Sequence, residues 1–406
     1  MSSKYFALYV LAGALLGLLV ANFLPNWAWL NESTLIVKTV YLNALKMVVV
    51  PLIFFSLLSG VLNLRKSHNL SQVGGYTLGY YFSTTAIATL IGLTIVLIFN
   101  PWTDVTPIKI DIQNDVAFIT ENDGSLKSVV LNLLDKMLVN PFSALSDYNI
   151  LGVLTFAILF GLALTTSLPA DSQLPSFIEQ LSGAIYQLTS WVIRLLPIGI
   201  FAITFQLANS ISLETLTALG ELAVVVFLAT LFHGLLILPL IAWLFGGIGP
   251  LKLLTNIIQP LVTALSTSSS AATLPISMDT AQKKLGVSPE ISSVVLPLGA
   301  TINMDGTALF EGIAAVFLAQ MFGIPLDPIT ITTIFLVAMM ASIGAPGVPS
   351  GSMAGMQLVL LSIGIPLEAI ALLLMIERPL DTFRTAVNVE GDLVGSLFVS
   401  KQAQDK

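Results

Sequence analysis

Residues 367–399 read LEAIALLLMIERPLDTFRTAVNVEGDLVGSLFV, an apolar run interrupted by Asp381, Arg384, Thr385, Asn388 and Asp392 at offsets of 3, 4, 7 and 11 from the first. At about 100° per residue these positions share one narrow helical stripe, which Glu377 joins from one turn earlier. Each ionised side chain left facing lipid would cost roughly 2.5 to 3.5 kcal/mol on an insertion scale. The stripe must therefore face protein, water or a ligand. Alternating acid, base, hydroxyl and amide groups suit a solute carrying both signs of charge, which makes the stripe the leading candidate for a transport site.

The rest of the chain supports a membrane setting. Of 406 residues, 55% are hydrophobic and only 10% charged, with a mean hydropathy of +0.92, the composition of an all-α polytopic membrane protein. A net charge of −7 leaves no basic face for nucleic acid. With no cysteine there is neither a disulfide framework nor a thiolate nucleophile. Two histidines are too few for a metal cluster; His68 falls in a polar loop, and His233, inside an apolar run, reads more readily as a satisfied buried imidazole than as a ligand.

Apolar segments of about 20 residues span a bilayer, and the sequence places them at 5–23, 37–62, 76–99, 150–168, 185–208, 219–245, 294–322 and 367–399. The first is read as a retained helix, being longer than a signal core and followed by many further spans. Residues 126–145, broken by Asp135, Lys136 and Asn140, predict short or irregular helices. Arg65 with Lys66 and Lys283 with Lys284 mark cytoplasmic connections. The acidic loop 101–125 lies outside, which puts both termini in the cytoplasm.

Two segments fail as simple spans. Residues 263–275 read TALSTSSSAATLP and 341–355 read ASIGAPGVPSGSMAG, polar or Gly/Pro-broken tips between apolar flanks. Irregular backbone at membrane depth is tolerated only inside protein or along a cavity, so each predicts a re-entrant hairpin. Each precedes one long span, a pairing that points to inverted repeats with a midplane binding site. The span at 294–322 is itself broken around Gly299–Thr307, where Gly299 and Gly306 permit unwinding and Asn303 and Asp305 supply oxygen. Such oxygens suit a hard cation; the alternative is a kinked helix whose Asp bonds neighbouring hydroxyls.

Four motifs together carry a resemblance: NMDGT at Asn303 to Thr307, the serine-rich tip ending TLP at Thr273 to Pro275, ASIG with GVP between Ala341 and Pro349, and D-x-x-R-T-x-x-N-V-x-G-D from Asp381 to Asp392. In order and spacing they resemble the glutamate/aspartate transporters, the dicarboxylate/amino acid:cation symporter family. The resemblance implies a homotrimer of protomers with eight transmembrane helices, two re-entrant hairpins and an elevator mechanism. On this pattern residues 1–73 and 106–208 form the scaffold, 74–105 and 209–400 the moving transport domain, and 401–406 a cytoplasmic tail. It assigns the substrate's side-chain carboxylate to Arg384, its ammonium to Asp381, and the rest of the pocket to Ser269, Ser270, Thr307, Val348, Thr385 and Asn388. It places one sodium at Gly299, Asn303, Asn388 and Asp392, a second at Tyr81, Thr84, Thr85, Asn303 and Asp305, and a third near Thr301, Ser342, Ile343 and Ala345. Without the resemblance, Tyr81, Thr84 and Thr85 would be read as hydroxyls bonding their own helix. The chain departs from the pattern at Ser268 and Thr382, where a second arginine is common, at Ala271, and at Ala345-Pro346. Arg378, four residues before Thr382, reaches the same region from the previous turn.

A channel could use the same polar residues, and an intramembrane aspartyl hydrolase would need two carboxylates sharing a water. The paired hairpins, broken helix and mixed-charge stripe are explained together by a sodium-coupled symporter for L-glutamate or L-aspartate in the inner membrane, with no organic cofactor. A proton-coupled carrier without sodium is the nearest alternative. Glu311, eight residues beyond Asn303 and so roughly on the same helical face, stands where the resemblance implies glutamate in proton-coupled carriers, and a carboxyl in apolar surroundings can hold a proton; it is the candidate proton carrier. The competing reading is a structural carboxylate paired with Arg378 or Arg384.

Overall fold

A computed structural model describes residues 3–23, 27–63, 70–99, 101–102, 131, 134–135, 137–147, 149–169, 171–207 and 213–404, apart from 344, 346 and 348. Arg65, Lys66, His68, most of the acidic loop, Lys136, Pro346 and Val348 lie outside the described residues. All regular structure among the described residues is helical. Helices α1 (Ser3–Phe23), α2 (Ala28–Asn63) and α3 (Leu70–Phe99) are followed by α4 (Pro141–Ser146), α5 (Ile150–Ser167), α6 (Leu174–Arg194) and α7 (Leu196–Leu207). Then come α8 (Leu213–Phe232), a π turn (His233–Ile237), α9 (Leu238–Gly246), α10 (Pro250–Thr267) and α11 (Ser270–Lys283). The chain closes with α12 (Pro289–Ile302), α13 (Asp305–Met321), α14 (Pro328–Ile343), α15 (Ser352–Ser362), a 3₁₀ turn (Leu367–Ala369) and α16 (Ile370–Gln404).

Among the described residues four runs are long and apolar enough to cross a membrane: Ala28–Leu62, Gln72–Phe99, Glu214–Gly246 and Pro289–Met321. A fifth is added if Leu174–Arg194 and Leu196–Gln206, bent by 48°, count as one. The bend falls where Pro197 lacks an amide proton for the preceding turn. A similar cause operates ahead of Pro239, whose ring crowds the Leu235 carbonyl; there the chain widens into the π turn. Outer helices expose large apolar side chains such as Leu15, Trp29, Ile36, Leu228 and Trp243, the surface of a protein solvated by lipid. Up to its last turn α16 keeps its charges inside: Glu377, Arg378, Asp381, Arg384, Glu390 and Asp392 are all buried, and Lys401 is exposed.

α13 sits at the centre of the molecule, buried along nearly its whole length as a helix apolar on all sides must be. Around it pack α3, α8, α14, α15 and α16, while α16 also touches α10, α11 and α12. Two helical hairpins fold against this core. α10 turns into α11 through Ser268, which adopts φ 50°, and Ser269, whose hydroxyl caps α11 by accepting from Ala272 N at 3.1 Å. α14 and α15 form the other pair, and their junction carries Ser350 at φ 60°.

Candidate functional site

The break between α12 and α13 is shorter than the glycines imply. Only Asn303 (φ −92°, ψ 87°) and Met304 (φ −118°, ψ 54°) leave the helical region. Gly299 and Gly306 are helical, which corrects the expectation that they unwind the backbone. They serve close approach instead. A Cβ at Gly299 would strike the Asp392 carboxyl and the Tyr81 hydroxyl, and one at Gly306 would lie 2.7 Å from the Arg384 carbonyl oxygen.

The break exposes oxygens to a sealed interior. Asn303 and Asp305 are both 0% exposed. Thr84 Oγ1 donates to Asn303 Oδ1 at 3.3 Å, Thr85 Oγ1 to Asp305 Oδ1 at 2.9 Å, and Asn303 Nδ2 to Asp392 Oδ1 at 3.0 Å. Asn388 accepts from Gly306 N at 2.8 Å and donates to Thr307 Oγ1 at 3.4 Å. α3, α12, α13 and α16 are thus tied together by the residues expected to hold the first two cations. Tyr81 differs in detail: its hydroxyl donates to the Val295 carbonyl at 2.8 Å. In the third expected group the one bond between members, among the described residues, is local to the end of α14, and none reaches Thr301. The Thr301 hydroxyl turns back to Leu298 O and the Ser342 hydroxyl to Met339 O, while Ala345 N donates to Ser342 O at 3.1 Å. Ile343 ends α14, buried.

One turn of α16 earlier lies a cluster of opposite charges. Arg384 NH2 donates to Glu377 Oε1 at 3.0 Å, to Asp381 Oδ1 at 3.2 Å and to Ser352 Oγ at 3.0 Å. Its guanidinium carbon stands 4.0 Å from the centre of the Phe310 ring, a cation–π contact. Arg378 NH1 donates to Asp381 Oδ2 at 3.1 Å. Hairpin residues roof the cluster: Ser350 N donates to Asp381 Oδ2 at 2.9 Å and Ser350 Oγ to Glu377 Oε2 at 2.9 Å. Thr385 spends its hydroxyl on the Asp381 carbonyl at 2.7 Å. The two hairpin tips meet above this layer, where Ser269 Oγ donates to Gly347 O at 2.6 Å and Ala271 N to the same oxygen at 3.1 Å; Ser270 is buried beside them.

Several of these partners escape sequence reasoning. His233, read as a satisfied imidazole, is hydrogen-bonded through Nε2 to Asp305 Oδ2 at 3.2 Å, a partner 72 residues away in sequence. Ser350 and Ser352 sit in a tip whose only signal was its Gly/Pro/Ser composition. Glu390 lies off the stripe, with Oε2 3.3 Å from where a Cβ of Gly234 would stand. Glu311 packs against Gly355, where a Cβ would strike its carboxyl, and neither of its oxygens has a hydrogen-bond partner among the described residues. The alternative pairing of Glu311 with Arg384 gives way to ion pairs of Arg384 with Glu377 and Asp381.

The sodium:dicarboxylate symporter family matches residues 6–402. The chain belongs to that family. The proton/sodium-glutamate symport protein of Bacillus caldotenax is 31% identical over 395 residues, covering 97% of this chain and 93% of its own. That of Bacillus subtilis (strain 168) is 31% identical over 398 residues, covering 97% and 92%. The neutral amino acid transporter B(0) of Mus musculus is 34% identical over 397 residues, covering 87% of this chain and 72% of its own. This symporter is therefore a multi-pass membrane transporter and not an enzyme, with sodium as the co-transported ion and an amino acid as the small-molecule cargo.

Proposed function

We propose that the protein is a secondary active symporter that takes up L-glutamate or L-aspartate with sodium and a proton. The observation that carries this reading is the buried arginine–carboxylate cluster lying one helical turn from a set of oxygens with no cationic side chain. A guanidinium can grip a substrate carboxylate with two parallel hydrogen bonds. Among the described residues Arg384 NH1 and Nε have no partner, so each keeps an N–H for a substrate carboxylate, while NH2, which both bidentate edges share, is held by Glu377, Asp381 and Ser352. Asp381 is the counter-charge for the ammonium. Asn303, Asp305, Asn388 and Asp392, with Thr84 and Thr85, receive sodium; Gly299, Tyr81, Thr301, Ser342, Ile343 and Ala345 complete the ion sites. Glu311 carries the proton.

In this reading the two hairpins are re-entrant and gate the site, residues 74–105 and 209–400 move as an elevator, and 1–73 and 106–208 hold a trimer in the inner membrane with cytoplasmic termini. The relatives named neutral amino acid transporters make a second reading specific. Because Glu377 neutralises Arg384 at 3.0 Å, a neutral amino acid could bind with that pair left intact. Uptake into liposomes under an imposed sodium gradient, with glutamate, aspartate, alanine and succinate in competition, separates them. Inhibition by aspartate and glutamate at concentrations far below those needed for alanine supports the acidic reading. Preferential inhibition by alanine overturns it, and equal uptake with choline in place of sodium overturns the coupling.

A further inference from the structure

We infer that Glu377 is a tethered stand-in for the substrate carboxylate, which occupies Arg384 and latches the second hairpin shut while the site is empty. The inference rests on the proposed role of Arg384 as the substrate's carboxylate partner. Glu377 is 0% exposed and uses both oxygens: Oε1 accepts from Arg384 NH2 at 3.0 Å and Ser352 Oγ at 3.3 Å, and Oε2 from Ser350 Oγ at 2.9 Å. One carboxylate thus joins the arginine of α16 to both serines of the α14–α15 tip.

Two further observations make this a latch. Ser350 holds φ 60° without being glycine, a conformation that persists only when its surroundings over-determine it; its amide and hydroxyl both donate to carboxylates of α16. The cluster is also balanced, two acids (Glu377, Asp381) against two arginines (Arg378, Arg384). An empty site with an unpaired buried guanidinium would be strongly disfavoured, and Glu377 removes that obstacle. An arriving acidic amino acid brings its own carboxylate and must displace Glu377 from Arg384. The residue therefore lowers apparent affinity while allowing the empty carrier to close and return. Glu377 is a positioning residue that acts through Arg384, Ser350 and Ser352.

The test uses the full chain, whose lack of native cysteine allows spin labels at Met340→Cys and Val262→Cys, one on each hairpin, in substrate-free and sodium-free bilayers. The background protein is expected to give one short distance, and Glu377→Gln a longer, broader distribution. Ser350→Gly removes the hydroxyl, keeps the amide and suits the positive φ, so folding is not at risk; it should shift the distance the same way. In binding, Glu377→Gln should tighten aspartate or glutamate about tenfold at saturating sodium, the worth of one charge-assisted hydrogen bond. Net uptake should fall relative to exchange. Unchanged distances in both variants, or weaker substrate binding in Glu377→Gln, overturns the latch and makes Glu377 a holder of Arg384. Failure of the wild type to bind acidic amino acids at any sodium concentration would instead overturn the proposed function, with the distance measurement still reading the latch.

Discussion

Buried carboxylates meet two different fates along α16 and the facing start of α13. Glu377 and Asp381 face Arg378 and Arg384 and are neutralised by the protein itself. Asp305 and Asp392 are met only by Thr85, Asn303 and the His233 imidazole, with no Lys or Arg among their described partners. An uncompensated buried ion costs several kcal/mol even after relaxation. The first region carries its own counter-charges, whereas the second has no Lys or Arg among its described partners and is left to a proton or a bound cation. Under the proposed function, the ion dependence falls at the break at Asn303–Met304 and the choice of organic cargo at the arginines.

The largest effect that would break this division is at Arg384. Arg384→Ala leaves Glu377 and Asp381 short of a partner and removes the carboxylate clamp, for which losses of about 2–5 kcal/mol are typical. Acidic amino acid affinity should fall by about 100-fold or more, measured as inhibition constants in the competition uptake assay. Sodium affinity, read in the absence of substrate, should change little. An equal loss for alanine and aspartate would show that the arginine is structural.

Asp392→Asn comes next and probes the other region. It keeps the shape and the contact with Asn303 but removes one uncompensated charge. The sodium concentration for half-maximal uptake should rise about tenfold, an electrostatic change of roughly 1.4 kcal/mol, and saturating sodium should restore the uptake rate. If the half-saturation is unchanged, Asp392 is a hydrogen-bond acceptor and the comparison loses its second term. A smaller effect is expected from Thr85→Val, which deletes the 2.9 Å donor to Asp305 without altering charge. One hydrogen bond of about 1 kcal/mol predicts roughly a fivefold weakening of sodium, with substrate binding at saturating sodium preserved.

Much of this arrangement was legible in the sequence because it repeats at helical spacing. The 381–384–385–388–392 stripe needed only the 3.6-residue period, and the two hairpins followed from polar tips within apolar flanks. Partner choice was not legible. Glu377 shares the stripe with its partner Arg384, yet its other bonds go to Ser350 and Ser352, 27 and 25 residues away, and depend on how α15 docks. His233 finds Asp305 only because α8 and α13 pack together. Glycine was misleading for a related reason: its freedom of φ suggests unwinding, but Gly299 and Gly306 are helical positions where a neighbouring helix leaves no room for a Cβ.

Glu311 is the third fate of a buried carboxyl, with neither an arginine partner nor a place in the oxygen cluster. It is 0% exposed, both oxygens lack a hydrogen-bond partner among the described residues, and it packs against Gly355 of the second hairpin. Under the proposed function this unpartnered carboxyl is the group that carries the proton. Glu311→Gln keeps the shape and a donor, and so should leave sodium-dependent substrate binding within about twofold, the smallest change in affinity of this series. Its effect falls on coupling. Wild-type uptake at fixed sodium should acidify the liposome lumen beyond what the substrate itself carries, and Glu311→Gln should abolish that excess, read with a trapped pH dye. Excess acidification that persists in the variant would transfer the proton to another group and leave Glu311 as a packing residue of the hairpin.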